Sequence, residues 1–88
     1  MAQYKRYRTN REVIQAYVQE KSKNGTNPGE SIYFEGDIIY SYGSHFPMAV
    51  RLKEEDFYIC NGDRFSKTTS KHQFLLFREI PNYKRAEI

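Results

Sequence analysis

Between Ser31 and Lys67, short runs of β-branched and aromatic residues alternate with turn residues too tightly for anything but a small, strand-rich sheet. Ser31 to Phe34 and Ile38 to Tyr42 read as two strands around Glu35-Gly36-Asp37. Met48 to Lys53 reads as a third, with Met48, Val50 and Leu52 alternating against Ala49, Arg51 and Lys53. Phe57 to Cys60 is a fourth and Arg64 to Lys67 a short fifth, around Cys60-Asn61-Gly62-Asp63. Asn61-Gly62 is a strong hairpin signal, since both residues accept the positive φ of a tight turn.

Helices are expected on either side. Thr9-Asn10 offers a capping side chain, and Arg11 to Lys23 holds helix-compatible residues, with Val13, Ala16 and Tyr17 on one side and Ile14 and Val18 beside them. Asn24-Gly25 reads as its left-handed stop and residues 24–30 as a loop. Phe74 to Phe77 fits a buried strand by periodicity. A helix is preferred, because Thr69-Ser70 supplies a cap, Gln73 follows Ser70 at capping-box spacing, and Phe74 with Phe77 and Leu76 with Ile80 form apolar pairs. Pro81 ends it, leaving a polar tail over residues 82–88. The expected fold is α+β: an antiparallel β-meander of about five strands, one face covered by an N-terminal and a C-terminal helix, with a half-open barrel as the alternative.

The 88 residues make one domain. Eight tyrosines against six phenylalanines give aromatic mass that needs hydrogen-bond partners or water. With Cys60 as the one cysteine, an internal disulfide and a multi-cysteine zinc site are both excluded, and a reducing cytoplasm is expected. There is no long apolar run, so no membrane partner is expected. No metal or cofactor is implied, and isolated glycines make no phosphate loop.

Charge is unevenly placed. Residues 1–11 carry Lys5, Arg6, Arg8 and Arg11 without an acid, whereas residues 30–56 are net acidic. Tyr4 and Tyr7 interleave with the basic residues. Cations attract phosphate and aromatic faces stack on bases, so residues 1–9 read as a possible nucleic-acid arm, with a frayed terminus as the plain alternative. A second candidate site draws on two histidine-bearing segments. If the 43–47 turn meets the start of the last helix, then Ser44, His45, Thr68, Thr69, Ser70 and His72 gather at one end of the sheet as an anion site, with Tyr42 a further binding candidate beside them. Helix capping and loop packing account for the same hydroxyls. Two histidines also suit acid–base phosphodiester cleavage, but no spacing pairs them.

Ile39-Tyr-Ser-Tyr-Gly-Ser-His-Phe-Pro-Met-Ala49 followed by Phe65-Ser-Lys-Thr-Thr-Ser-Lys-His72 resembles a pattern in small proteins of bacteriophages and other mobile elements. That pattern has a Tyr-Ser-Tyr-Gly-x-His-Phe-Pro core, then aromatic-Ser-x-Thr-Thr-x-x-His. Asn10-Arg-Glu-Val13 and Gly29-Glu30-Ser31 extend the likeness over roughly residues 10–73, although Phe65 stands where tyrosine is expected. The resemblance implies a phage-type origin, a compact α+β fold and importance for Tyr42, Gly43, His45, Pro47, Thr68, Thr69 and His72. It carries no activity across. The expected function is a non-enzymatic accessory protein binding nucleic acid or a nucleoprotein in the host cytoplasm. The alternatives are a protein–protein inhibitor of a host or defence factor (anti-CRISPR-like) and a two-histidine nuclease.

Overall fold

The computed structural model describes residues 4–41, 46–62 and 67–87, with the side chains of 67–69 outside the description. A six-stranded mixed sheet in the order β1-β2-β3-β4-β5-β6 carries two helices. The strands are β1 (Asn24–Thr26), β2 (Ile32–Glu35), β3 (Ile38–Ser41), β4 (Phe46–Leu52), β5 (Phe57–Cys60) and β6 (Arg85–Glu87). Neighbours from β1 to β5 pair antiparallel, and β6 runs parallel to β5. The meander is therefore present, but its members differ from expectation. Residues 24–26 form β1 instead of a loop, and the tail supplies β6 instead of ending free. Of the expected strand Arg64–Lys67, Lys67 opens the second helix instead, and residues 64–66 lie outside the described residues. Asn61 consequently leads from β5 to that helix, its N–H donating to the Met48 carbonyl at 2.8 Å.

Helix α1 (Asn10–Val18) begins where Thr9 accepts the Glu12 N–H on its side-chain oxygen, as a capping residue should. Its end is earlier than expected. Glu20 takes φ 54°, the Lys21 N–H donates to the Ala16 carbonyl at 3.0 Å, and the Glu20 N–H to that of Tyr17 at 3.3 Å. This is a Schellman motif with glutamate in the position glycine usually fills. Gly25 is needed for a different reason. It sits in β1 opposite Phe34, where an added Cβ would meet the Phe34 ring at 2.6 Å and the Tyr7 ring at 2.8 Å.

Helix α2 (Lys67–Glu79) starts before Thr69-Ser70, so those residues lie inside its first turn and do not cap it. Gln73 does not close a capping box either. Its amide donates to the Asn61 carbonyl at 2.8 Å and ties α2 to the end of β5. Pro81 does follow the helix. A short 3-10 turn, Asn82–Lys84, then leads into β6, so β5, α2 and β6 form a crossover unit, as parallel neighbours require.

Both helices pack on one face of the sheet. Val13, Ile14, Ala16 and Tyr17 of α1 and Leu76 and Ile80 of α2 join Ile32, Phe34, Ile39, Met48, Tyr58 and Cys60 in one core. Strand β4 presents this face differently from its apolar alternation. A bulge at Ile39/Tyr40 pairs Ile39 with Ala49 and Tyr40 with Pro47, so Met48 is the extra residue, and both Met48 and Ala49 are buried. Pro47, which lacks a ladder donor, sits beside that bulge as a strand residue, as does Phe46, while residues 43–45 of the expected turn lie outside the described residues. Val50 and Leu52 turn to the opposite face and Arg51 turns inward.

Arg51 is thus a core residue, only 7% exposed. Its guanidinium donates to the Tyr17 carbonyl at 2.5 Å and to Asp37 Oδ1 at 3.2 Å, and lies 4.6 Å from the Tyr17 ring centroid. The Tyr17 hydroxyl donates to the Asp37 carbonyl at 2.8 Å, and that of Tyr58 to the Val18 carbonyl at 3.5 Å. Burial works against the charge, yet the Tyr58, Tyr17 and Asp37 contacts outweigh it and hold the Arg51 pKa above its ordinary value. A cation at a helix C-terminus also meets the negative end of the helix dipole. Replacing Arg51 by Met should cost about 2–3 kcal/mol, because it strips a charged donor from a buried carbonyl. Breaking the exposed Arg6–Glu30 pair with Arg6→Ala should cost less than about 1 kcal/mol. Urea denaturation of the two variants beside the parent checks the contrast.

Candidate functional site

The chain direction sets the polarity of the molecule. Strands β2 and β4 run toward the hairpin turns at 36–37 and 53–56, so these tips share one end of the sheet and carry Glu35, Asp37, Glu54, Glu55 and Asp56. Helix α1 ends there, against Arg51. Both helices begin at the opposite end, where the Asn10 side chain reaches His72 at 3.4 Å. Arg8, Arg11 and Lys71 are exposed around this meeting point. The positive ends of two helix dipoles and three cations therefore share one end, with Glu12 in the first turn of α1, while the tips carry five acids together with Lys53 and the Lys84 paired to Asp56.

On α2 the burial of His72, Gln73, Leu76 and Ile80 defines the inward face. The outward stripe is Lys71, Phe74 and Arg78, at helical spacing. Phe74 is 62% exposed, and the Arg78 guanidinium lies 5.7 Å from its ring centroid. A flat aromatic face held among cations can stack on a base while its neighbours meet phosphates. The sequence contains this stripe, but pairing Phe74 with Phe77 as a buried couple hides it. Phe77 instead packs against the core, with Arg85 over its ring at 5.1 Å.

The basic arm is docked. The Tyr7 N–H donates to the Thr26 carbonyl and the Thr26 N–H to that of Lys5, both at 2.9 Å, bridging the segment in parallel to β1. Tyr4 sits 5.5 Å from the Tyr33 ring and its hydroxyl donates to Glu35 at 3.4 Å. Tyr7 packs on the core and shares a 2.8 Å hydrogen bond with Ser22. Arg6 is paired with Glu30 at 2.9 Å. Of the five arm-side candidates, Arg6, Arg8 and Arg11 are exposed, Arg6 within its ion pair.

The histidine-bearing end is only partly described. Tyr42, Ser44 and His45 lie outside the described residues; Thr68 and Thr69 fall in the first turn of α2, and their side chains lie outside too. His72 is one turn deeper in the helix than expected and buried, at 3% exposure. The Ser31 N–H donates to Asn27 Oδ1 at 2.9 Å, which fixes that amide's orientation. Asn27 Nδ2 then donates to Asn10 Oδ1 at 2.6 Å, leaving Asn10 Nδ2 to donate to His72 Nε2. Nδ1 therefore carries the ring proton and donates to Ser41 Oγ at 2.7 Å. Burial holds the His72 pKa below its ordinary value, in keeping with this neutral ring. The network ties α1, the β1–β2 loop, β3 and α2 together; the expected meeting of the 43–47 turn with the start of α2 rests on residues 43–45, which lie outside the described residues. Cys60 is also buried, and burial pushes its thiol up to about 11, against the pull of Arg85. That environment makes a poor nucleophile. Among the described residues, no group of three His, Cys, Asp or Glu side chains is placed to hold a metal ion. No described helix is long and apolar enough to cross a membrane.

In comparisons with protein-family models, curated proteins and solved structures, the chain matches none of them.

Protonating His72 favours the unfolded chain, where the ring keeps a pKa near about 6.5. Stability should be intact above that value and fall as the pH drops below it. Urea midpoints between about pH 7.5 and 5.5 should fall for the parent chain and change less for His72→Gln. Equal slopes would show that His72 is not buried in this neutral form.

Proposed function

We propose that this chain is a non-enzymatic accessory module, of phage or mobile-element type, that binds nucleic acid or a nucleoprotein. The contact surface is the basic end and outer helix layer: Arg8, Arg11, Lys71, Phe74 and Arg78. The observation that carries the reading is the exposed Phe74 ring set between Lys71 and Arg78 on one helix stripe. Cations beside an exposed aromatic ring suit unpaired bases and their phosphates. The tyrosines of the arm, by contrast, are engaged within the fold. Their role is to lend order to the edge beside β1, which holds Arg8 and Arg11 at the start of α1. The buried, neutral His72 supports a binding role over acid–base chemistry at that ring.

The test is fluorescence anisotropy of a short labelled single-stranded oligonucleotide across a salt series. Phe74→Ala should weaken binding by about 1–3 kcal/mol, the worth of one base–aromatic stack. Arg11→Ala and Lys71→Ala should each lower the salt slope by roughly one unit, while Arg6→Ala leaves it nearly unchanged. Undiminished binding in an Arg11→Ala, Lys71→Ala, Phe74→Ala variant would overturn the proposal. A protein partner is the second reading, favoured by the same exposed Phe74–Arg78 pair, whose composition suits an interface hot spot. Capture of a host protein that survives nuclease and high salt, and is lost in Phe74→Ala, would select it.

A further inference from the structure

The starts of the two helices are joined by a run of hydrogen bonds that has one direction. The backbone N–H groups of Ser31 and Ile32 donate to Asn27 Oδ1 at 2.9 and 3.4 Å, so the Asn27 amide cannot turn without setting its NH2 group against them. Asn27 Nδ2 therefore donates outward, to Ser31 Oγ at 2.8 Å and to Asn10 Oδ1 at 2.6 Å. Asn10 is fixed in turn, because turning it would oppose two NH2 groups across that 2.6 Å contact. What faces His72 Nε2, 3.4 Å away, is thus a donor. The ring is buried, so a lost partner is not replaced by water.

The surroundings also disfavour a charged ring. Asn10 is the first residue of α1, so His72 meets the positive end of that helix dipole. Among the described residues, the charged groups nearest on the elements packed against the ring are Arg11 and Glu12 of α1, with Arg8 just before it, and Lys71 of α2, all exposed. The β1–β2 loop brings Glu30, paired with Arg6, and β3 brings the neutral Ser41.

We propose that this run of amides is a proton-sensitive latch: His72 stays seated only while neutral, and protonating it parts the starts of α1 and α2. An imidazolium carries a hydrogen on Nε2 that meets the Asn10 NH2 group, donor against donor, and no rotation of either asparagine relieves the conflict. His72 or Asn10 must leave, and they belong to different helices. The released ring adds a cation beside Arg8, Arg11 and Lys71, which resists reclosure. The Arg51 contacts at the other end of α1 take no part, so acid opens one end of the helix layer and rearranges its basic groups. This inference goes beyond the binding reading and stands without it.

The test is an NMR titration of the full chain, with His72→Gln identifying the His72 ring among the two imidazoles. In the parent chain, the amide signals of Asn10 and of Ser70 to Gln73 should shift together with His72 protonation, at a midpoint below about 6.5. Asn10→Asp replaces the facing donor by a carboxylate that accepts from both Asn27 Nδ2 and protonated Nε2, so the midpoint should rise by about one pH unit or more. Asn27→Asp alters a residue that bonds to Asn10 rather than to the ring. Its carboxylate still accepts the Ser31 N–H but makes Asn10 turn and present Oδ1 to His72, so the midpoint should rise here too. Adding Asn10→Ala to Asn27→Asp should abolish that rise, whereas through-space attraction by the new charge would survive it. An unchanged midpoint in both Asp variants, a rise that survives Asn10→Ala, or helix-start signals that ignore His72 protonation would each overturn the proposal. If Asn10→Asp fails to fold, Asn27→Asp with its Asn10→Ala control decides. Oligonucleotide binding is not a readout, so failure here and failure of the nucleic-acid reading are separable.

Discussion

The Arg51 guanidinium lies where the end of α1, the β2–β3 turn and the centre of the sheet meet. It donates to the Tyr17 carbonyl and to Asp37, and rests on the Tyr17 ring. A desolvated cation is costly unless its donors find acceptors, and here they find a helix terminus whose carbonyls need donors. Each deficit answers the other. The Tyr58 hydroxyl, 3.4 Å from the same guanidinium, reaches the next carbonyl of the helix. Fixing that end fixes the line of α1 across the sheet, and with it the position of Asn10 at the other end.

From there the buried amide–imidazole chain takes over. Asn27, Asn10, His72 and Ser41 hold the starts of both helices against the ends of β1 and β3. The two polar clusters act at opposite ends of one apolar core, one charged and one neutral. Their placement also sorts the surface. Hairpin tips with five acids and Lys53 lie at the Arg51 end, while Arg8, Arg11, Lys71 and Glu12 lie at the other. The outward stripe of α2 and the Ile38–Val50–Ile59 row of the sheet lie on opposite sides of the molecule.

Much of this architecture is legible in the residues. The Thr9 cap, the Val13–Tyr17 stripe, the Ile32–Phe34 and Ile38–Ser41 strands, and the helical character of Phe74–Phe77 all follow from local chemistry. What is not legible depends on long-range partners. Asn24-Gly25 looks like a helix stop, because nothing nearby reveals that Phe34 and Tyr7 leave no room for a side chain over it. Arg85-Ala-Glu87 has no strand character until β5 offers it an edge. The β4 alternation points its aliphatics inward until the bulge at Met48 and the demand of the α1 carbonyls turn Arg51 inward instead. The same limit applies to the candidate site. Tyr4 and Tyr7 look available beside basic residues, yet Tyr33, Glu35 and Ser22 occupy them, whereas Phe74 looks buried and is not.

The central claim is that Arg51 joins the end of α1 to the sheet, so that helix and sheet open together. Native-state hydrogen exchange in low denaturant tests it most directly. In the parent chain, the α1 amides and the β4–β5 amides should merge into one opening unit of equal free energy. In Arg51→Met, the α1 amides should open separately, at lower free energy than the sheet. If α1 exchanges independently of the sheet in the parent chain, or stays coupled to it in Arg51→Met, the account is contradicted.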